Sequence, residues 1–181
     1  MRLPEISRTI EAPEGALVTL AGKIVTVKGA KGTLTRDFSY VPVSINVDGQ
    51  TVCVRAEWPR KKEAALVGTI YSHIQNMITG VQKGFTYKLK IVFSHFPISA
   101  KVQGKSVLIE NFTGERRARR IKIFGDVKVR VESEDIVVQG LNLEDVSQTA
   151  ANIEQATKVK KKDPRVFLDG IYVYERIEGM E

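Results

Sequence analysis

Two periodicities alternate along this chain, and they divide it into strands and helices. Residues Ala16–Lys28 place apolar side chains at every second position on either side of Ala21-Gly22, the pattern of a half-buried β-hairpin. Gly29 and Gly32 interrupt it before Thr33–Phe38, a further short strand. Val41–Val47 and Thr51–Ala56 flank Asp48-Gly49, a dipeptide suited to a tight hairpin turn because glycine takes positive φ freely. The lone Cys53 falls inside that alternation and reads as a small core side chain. The period then lengthens. From Lys61 to Gly80 the stripe Val67, Ile70, Ile74, Met77, Ile78 and Val81 recurs at spacings that put it on one side of a helix, with Gly80 or Gly84 as its stop. Phe85–Ser94 alternates again, with Phe85, Tyr87, Leu89 and Ile91 on one face and Lys88 and Lys90 on the other. Pro97 marks a boundary.

The second half follows the same order. Ile98–Val102 and Ser106–Asn111 make a hairpin, Asp126–Val131 and Asp135–Gly140 a second pair. A helix follows over about Leu143–Thr157, with Asn142 as cap and Val146, Ala150, Ile153 and Ala156 or Thr157 on its inner face. Gly22-Lys23 lies on Gly104-Lys105 at an offset of 82 residues, with Val25 on Val107, Val27 on Ile109 and Gly32 on Gly114. The spacing predicts an α+β chain of two tandem duplicated domains, 1–97 and 98–181, each with small, mainly antiparallel sheets and one main helix. In that reading each unit closes on a strand after its helix, so that Thr69–Val92 is the counterpart of Gln148–Glu175.

Charge changes the picture. Lys and Arg number 28 against 21 Asp and Glu, a net +7, and their placement says more than their sum. Arg116, Arg117, Arg119, Arg120 and Lys122 form one cluster, and Lys158, Lys160, Lys161, Lys162 and Arg165 another. Acids gather elsewhere, at Glu132, Glu134, Asp135, Glu144 and Asp145. Segregation creates local fields that an interspersed surface would cancel, which favours a polyanionic partner. One or two lysines after a helix complement its negative end; five basic residues exceed that need. Arg60-Lys61-Lys62 precedes the first helix, where positive charge opposes the dipole and a partner's phosphate would be served. Few aromatics interleave these clusters in sequence, which favours recognition of folded RNA through its backbone over base stacking.

Enzyme chemistry finds little support. His73 and His95 have no spacing to Cys53 or to a carboxylate cluster that a triad or metal site would need, so neither catalytic nor metal-binding residues, nor a cofactor, are expected. Gly104-Lys105-Ser106 resembles the end of a phosphate-binding loop, but Ser99 stands where the first glycine belongs and a strand follows. Gly29-Ala30-Lys31-Gly32 matches a GXXG loop without the flanking helices. Asn111-Phe112-Thr113 is a glycosylation sequon, yet no apolar leader stands near Met1. No run approaches the ~18 apolar residues of a membrane span. A single cysteine fits a reducing compartment. These features point to a soluble cytoplasmic protein.

Ile10–Leu34, Pro59–Lys62, Ser72–Pro97, Lys101–Glu115 and Gln148–Val173 together resemble the universal large-subunit ribosomal protein family called L-six in bacteria and archaea and L-nine in eukaryotes. The forms SHFP, IENF and DGIYV are similar to its archaeal and eukaryotic branch. The resemblance implies two duplicated α+β domains, direct binding to large-subunit rRNA, and a place in the cytoplasmic ribosome near the stalk base and the sarcin–ricin loop. Neighbouring ribosomal proteins and translation factors would then be close by. It places an RNA-facing loop on Lys158–Gly170 and a more variable basic segment on Arg116–Lys122; Lys88 and Lys90 are further candidates. The rivals are a free RNA-binding adaptor and a nucleic-acid-processing enzyme that holds a metal through Asp163 and Asp169.

Overall fold

Alternation becomes strand pairing in the computed structural model, which describes residues 4–94, 96–160, 162, 163 and 165–180. The chain splits into two units at Lys83/Gly84. In the first, β1 (Glu5–Glu11), β6 (Thr51–Glu57) and β5 (Ser44–Asp48) form one antiparallel sheet in that order. A second sheet runs β2 (Leu17–Ala21), β3 (Ile24–Lys28), β4 (Thr33–Asp37). Helix α1 (Lys61–Gln82) closes the unit by burying Val67, Ile70, Ile74, Ile78 and Val81 against Val25, Val27, Phe38, Val52 and Val54. Gly84, at φ +77°, takes the left-handed conformation that ends the helical run.

The second unit repeats this plan. Strands β8 (Ser99–Gln103), β9 (Ser106–Glu110) and β10 (Arg119–Lys122) form a three-stranded sheet. A four-stranded sheet runs β11 (Lys128–Glu132), β12 (Asp135–Gly140), β7 (Phe85–Val92), β13 (Gly170–Glu178). Helix α2 (Leu143–Ala156) buries Val146, Ala150 and Ile153 among Leu89, Ile109, Ile136, Val138 and Ile171. Its close approach to the sheet depends on small residues. A Cβ added at Gly140 would stand 2.8 Å from Val146 Cγ2 and 3.2 Å from Val127 Cγ2.

Three expectations change. The boundary lies at Lys83/Gly84, not near Pro97, because β7 pairs with β12 and β13 and buries Phe85, Leu89 and Ile91 in the second core. Alternation fixes which face of a strand is buried but not which core receives it. The repeat keeps the expected offset, with β2 and β3 matching β8 and β9, but each unit begins one strand earlier: β7 pairs with β12 as β1 pairs with β6, and β13 has no equivalent after α1. Thr69–Val92 is thus no counterpart of Gln148–Glu175. Cys53 is half-buried on the face of β6 opposite to the buried Val52, Val54 and Ala56, so it is not a core residue.

Replacing Gly140 with Ala should destabilise the second unit by about 1–3 kcal/mol, since the added methyl overpacks the helix–sheet contact. A lower urea midpoint at unchanged m-value would show it, whereas an unchanged midpoint would mean that α2 can move aside freely.

Candidate nucleic-acid interface

The block of lysines lies on a loop that leaves the end of α2 and returns at the start of β13. Asn142 caps the helix as expected, its Oδ1 accepting from the Glu144 N–H at 3.1 Å, and Glu144 and Asp145 occupy the positive end. The far end is closed by Thr157. Its buried hydroxyl donates to the Ile153 carbonyl (3.2 Å) and accepts from the Ile171 N–H (3.0 Å), fastening the helix terminus to β13. Beside it the buried carboxylate of Asp169 accepts from the Ser94 N–H (2.8 Å) and from the Ser94 hydroxyl (3.3 Å). The neck of the loop is therefore held by buried polar contacts, the kind that cost free energy when broken.

Along the loop, Lys158, Lys160, Lys162 and Arg165 are exposed. Among the described residues, no carboxylate forms an ion pair with any of these four. Asp163 shapes the turn: its Oδ1 accepts from the Arg165 N–H (2.9 Å), and its carbonyl accepts from Phe167 N–H (3.0 Å). Lys162 Nζ stands 4.4 Å from the Phe167 ring centroid. Lys161 lies outside the described residues. At Gly170 an added Cβ would meet the Tyr172 ring at 2.9 Å, so the absence of a side chain lets that ring lie across the loop's exit.

The two basic clusters meet through Arg119. Its guanidinium lies 4.2 Å from the Phe112 ring centroid, pairs with both oxygens of Glu115, and donates through Nη1 to the Ala156 carbonyl at the end of α2. A cavity of about 390 Å³ runs between these groups and Lys158, Lys160 and Lys162. Arg119, expected to face RNA, anchors the helix end. Arg116, Arg117, Arg120 and Lys122 are exposed, with Arg120 Nε donating to Ser106 Oγ (3.1 Å).

Two other candidates are answered locally. Lys88 pairs with Glu175 (3.0 Å), and Lys90 with Glu134 (3.4 Å) and Asp135 (3.6 Å). The Glu134 hydrogen bond first, and the Asp135 charge next, hold the Lys90 ammonium above its ordinary range. Charge matched across a sheet face offers a weaker field to a polyanion than unmatched charge, so these two positions weigh less in a candidate interface. Arg60, Lys61 and Lys62 are exposed at the start of α1, where Glu63 accepts from the Arg60 N–H (2.7 Å). His73 accepts from Arg36 at 3.2 Å, and His95 lies outside the described residues. Asp163 and Asp169, paired in the metal-enzyme rival, have separate duties as turn-former and neck anchor.

Thr157 and Asp169 were legible only in part. The sequence offers the first only as a candidate for the inner face of α2 and the second only as one half of a metal-holding pair. A hydroxyl on an otherwise apolar stripe is the available signal, since a buried polar group must find a partner.

A duplicated α+β architecture with a clamped cationic loop defines a class of scaffold proteins that present charge on rigid units. The Ribosomal protein L6 family model matches the chain twice, over residues 12–84 and 96–170, and the chain belongs to that family. The large ribosomal subunit protein uL6 of Methanosarcina mazei is 52% identical over 95% of this chain and 98% of the relative. That of Desulfurococcus amylolyticus is 50% identical over 99% of each. These relatives agree with the archaeal branch of the resemblance.

Two outcomes follow at the neck. Thr157→Val keeps the volume but strands the buried Ile171 N–H, and should cost about 1–3 kcal/mol, seen as faster amide exchange at Ile171. The hydrogen bonds from Arg119 hold the Glu115 carboxyl below its usual value. Its contribution is therefore present above the ordinary carboxylate pKa and lost as pH falls through the lowered one. Carboxyl titration by NMR should return Glu115 to the usual range in Arg119→Met; an unmoved Glu115 would contradict the pairing.

Proposed function

We propose that this protein is a structural constituent of the large ribosomal subunit, binding large-subunit rRNA in the cytoplasm through its second unit and carrying out no reaction of its own. The observation that carries the RNA reading is the loop after α2, where four exposed cations form no ion pair among the described residues and stand on a neck fixed by Thr157 and Asp169. Lysine holds phosphate as a point charge and arginine can add paired hydrogen bonds. A clamped loop presents both without first having to be ordered. Family membership and the names of the relatives supply the ribosomal setting.

The contact set is Lys158, Lys160, Lys161, Lys162 and Arg165, with Arg116, Arg117, Arg120 and Lys122 as a second bank. Gly170 serves by shaping the loop's exit, and Arg60, Lys61 and Lys62 are the contribution of the first unit. Lys88, Lys90 and Arg119 drop out of it, for the reasons their partners give. The place in the subunit is near the stalk base and the sarcin–ricin loop, with neighbouring proteins and translation factors close by, as the family resemblance implies.

Native protein should sediment with large subunits; a free pool alone would favour an unattached RNA-binding adaptor. In binding to large-subunit rRNA, Lys160→Glu with Lys162→Glu should lower affinity and flatten the log–log salt dependence by roughly 0.7–0.9 for each contact removed. Circular dichroism should stay as in the parent chain. Unchanged affinity and slope would remove the loop from the interface.

A further inference from the structure

The same loop encloses a second cavity, of about 410 Å³, on the side of Lys158 that faces β13. That volume falls within the ~300–1,000 Å³ typical of small-molecule sites. Its walls differ from those of the cationic groove beside Arg119. Phe167 and Tyr172 supply aromatic rings and Val159 an apolar surface, Glu154 and Gln155 a polar edge, and Lys158 a cation. The aromatics that are scattered in sequence are thus gathered here by the loop's return.

The rings are held in place before any ligand arrives. The Tyr172 hydroxyl donates to the Leu168 carbonyl at 3.1 Å, and the bare Gly170 lets the ring lie across the chain at a distance no side chain would allow. Tyr172 remains 43% exposed, so its ring is open to a partner. Phe167 is half-buried and its backbone is fixed by the Asp163 carbonyl. Thr157, which also borders the cavity, has its hydroxyl engaged by Ile153 and Ile171. Selective hydrogen bonding therefore falls to Gln155 and Glu154.

We infer that this cavity receives a single unstacked nucleobase of the bound RNA, stacked on Tyr172 and Phe167, with its flanking phosphates met by Lys158 and Lys162. The inference rests on the RNA reading above and deepens it. A flat ring joined to an anion satisfies all three surfaces at once. An apolar peptide side chain would leave the cations at the rim unanswered, and a bare phosphate would leave the rings unanswered. Extruded bases in loops and bulges are the usual means by which RNA offers sequence to a protein, and aromatic side chains are their usual platform. The Gln155 amide can donate and accept, and the Glu154 carboxylate can accept from an exocyclic amine. The site therefore favours a base that carries an amino group.

Binding of the full chain to large-subunit rRNA extracted from the same cells tests this. Phe167→Leu and Tyr172→Leu should each raise Kd about 5- to 100-fold, the worth of one base stack, with the salt slope unchanged. Tyr172→Phe, which keeps the ring but loses the hydroxyl's hold on the Leu168 carbonyl, should bind more tightly than Tyr172→Leu and no better than the parent. If both leucine variants bind like the parent while Lys160→Glu binds weakly, the base site is wrong and the RNA reading stands. If Lys160→Glu also binds like the parent, both fail. A leucine variant that flattens the salt slope has lost phosphate contacts instead, which overturns the stacking assignment. Should the leucine variants not fold, ultraviolet crosslinking of the parent chain decides. A nucleotide adduct on Phe167 or Tyr172 upholds the site, and adducts confined to other peptides overturn it.

Discussion

Thr157 holds the place where α2 ends and β13 begins, and the position of the basic loop depends on that contact. Its hydroxyl serves two backbone groups that would otherwise be buried without partners, one on each element. A valine of the same shape would fill the space and serve neither. Asp169 and Arg119 extend the same logic, the first to the segment after β7 and the second to the Ala156 carbonyl. The cations beyond this neck lie on a short span between fixed ends. The fixed neck matters because mutual repulsion among the loop's cations would otherwise drive its ends apart.

Duplication explains why one unit carries such a loop and the other does not. Both units bury a helix against two small sheets, but α1 runs for 22 residues and α2 for 14. After α1 the chain passes through Lys83 and Gly84 into β7. After α2 it makes the excursion that carries the lysines, then adds β13 beside β7. The extra strand gives the loop a fixed return point. The copies share an inner scaffold and differ in what they attach to it.

Much of the fold was legible because local patterns decide it. The hairpins around Gly22, Gly49 and Gly104 and both helical stripes follow from turn chemistry and periodicity. β1 was missed because EISRTIE offers only Ile6 and Ile10, and Ile10 alone is buried. β10 was hidden by its own arginines, since Ile121 is the one buried side chain in that strand. The boundary and the partners of β7 were hidden because strand partnership is non-local. For the site, clustering of charge was visible in the sequence, but pairing was not. Lys88 and Lys90 look like free cations until Glu175, Glu134 and Asp135 are brought across the sheet. Conversely, Phe167 and Tyr172 look unrelated to the lysines until the loop closes.

In the proposed reading Lys158, Lys160, Lys162 and Arg165 meet large-subunit rRNA from a neck that is already formed. Cryo-electron microscopy of native large subunits from the same cells tests it most directly. Lys158, Lys160, Lys162 and Arg165 should lie within ion-pairing distance of rRNA phosphates, with the Thr157–Ile171 and Asp169–Ser94 contacts intact. A loop turned to solvent, or one that reaches RNA only after those contacts break, would rule out binding from a ready-formed neck.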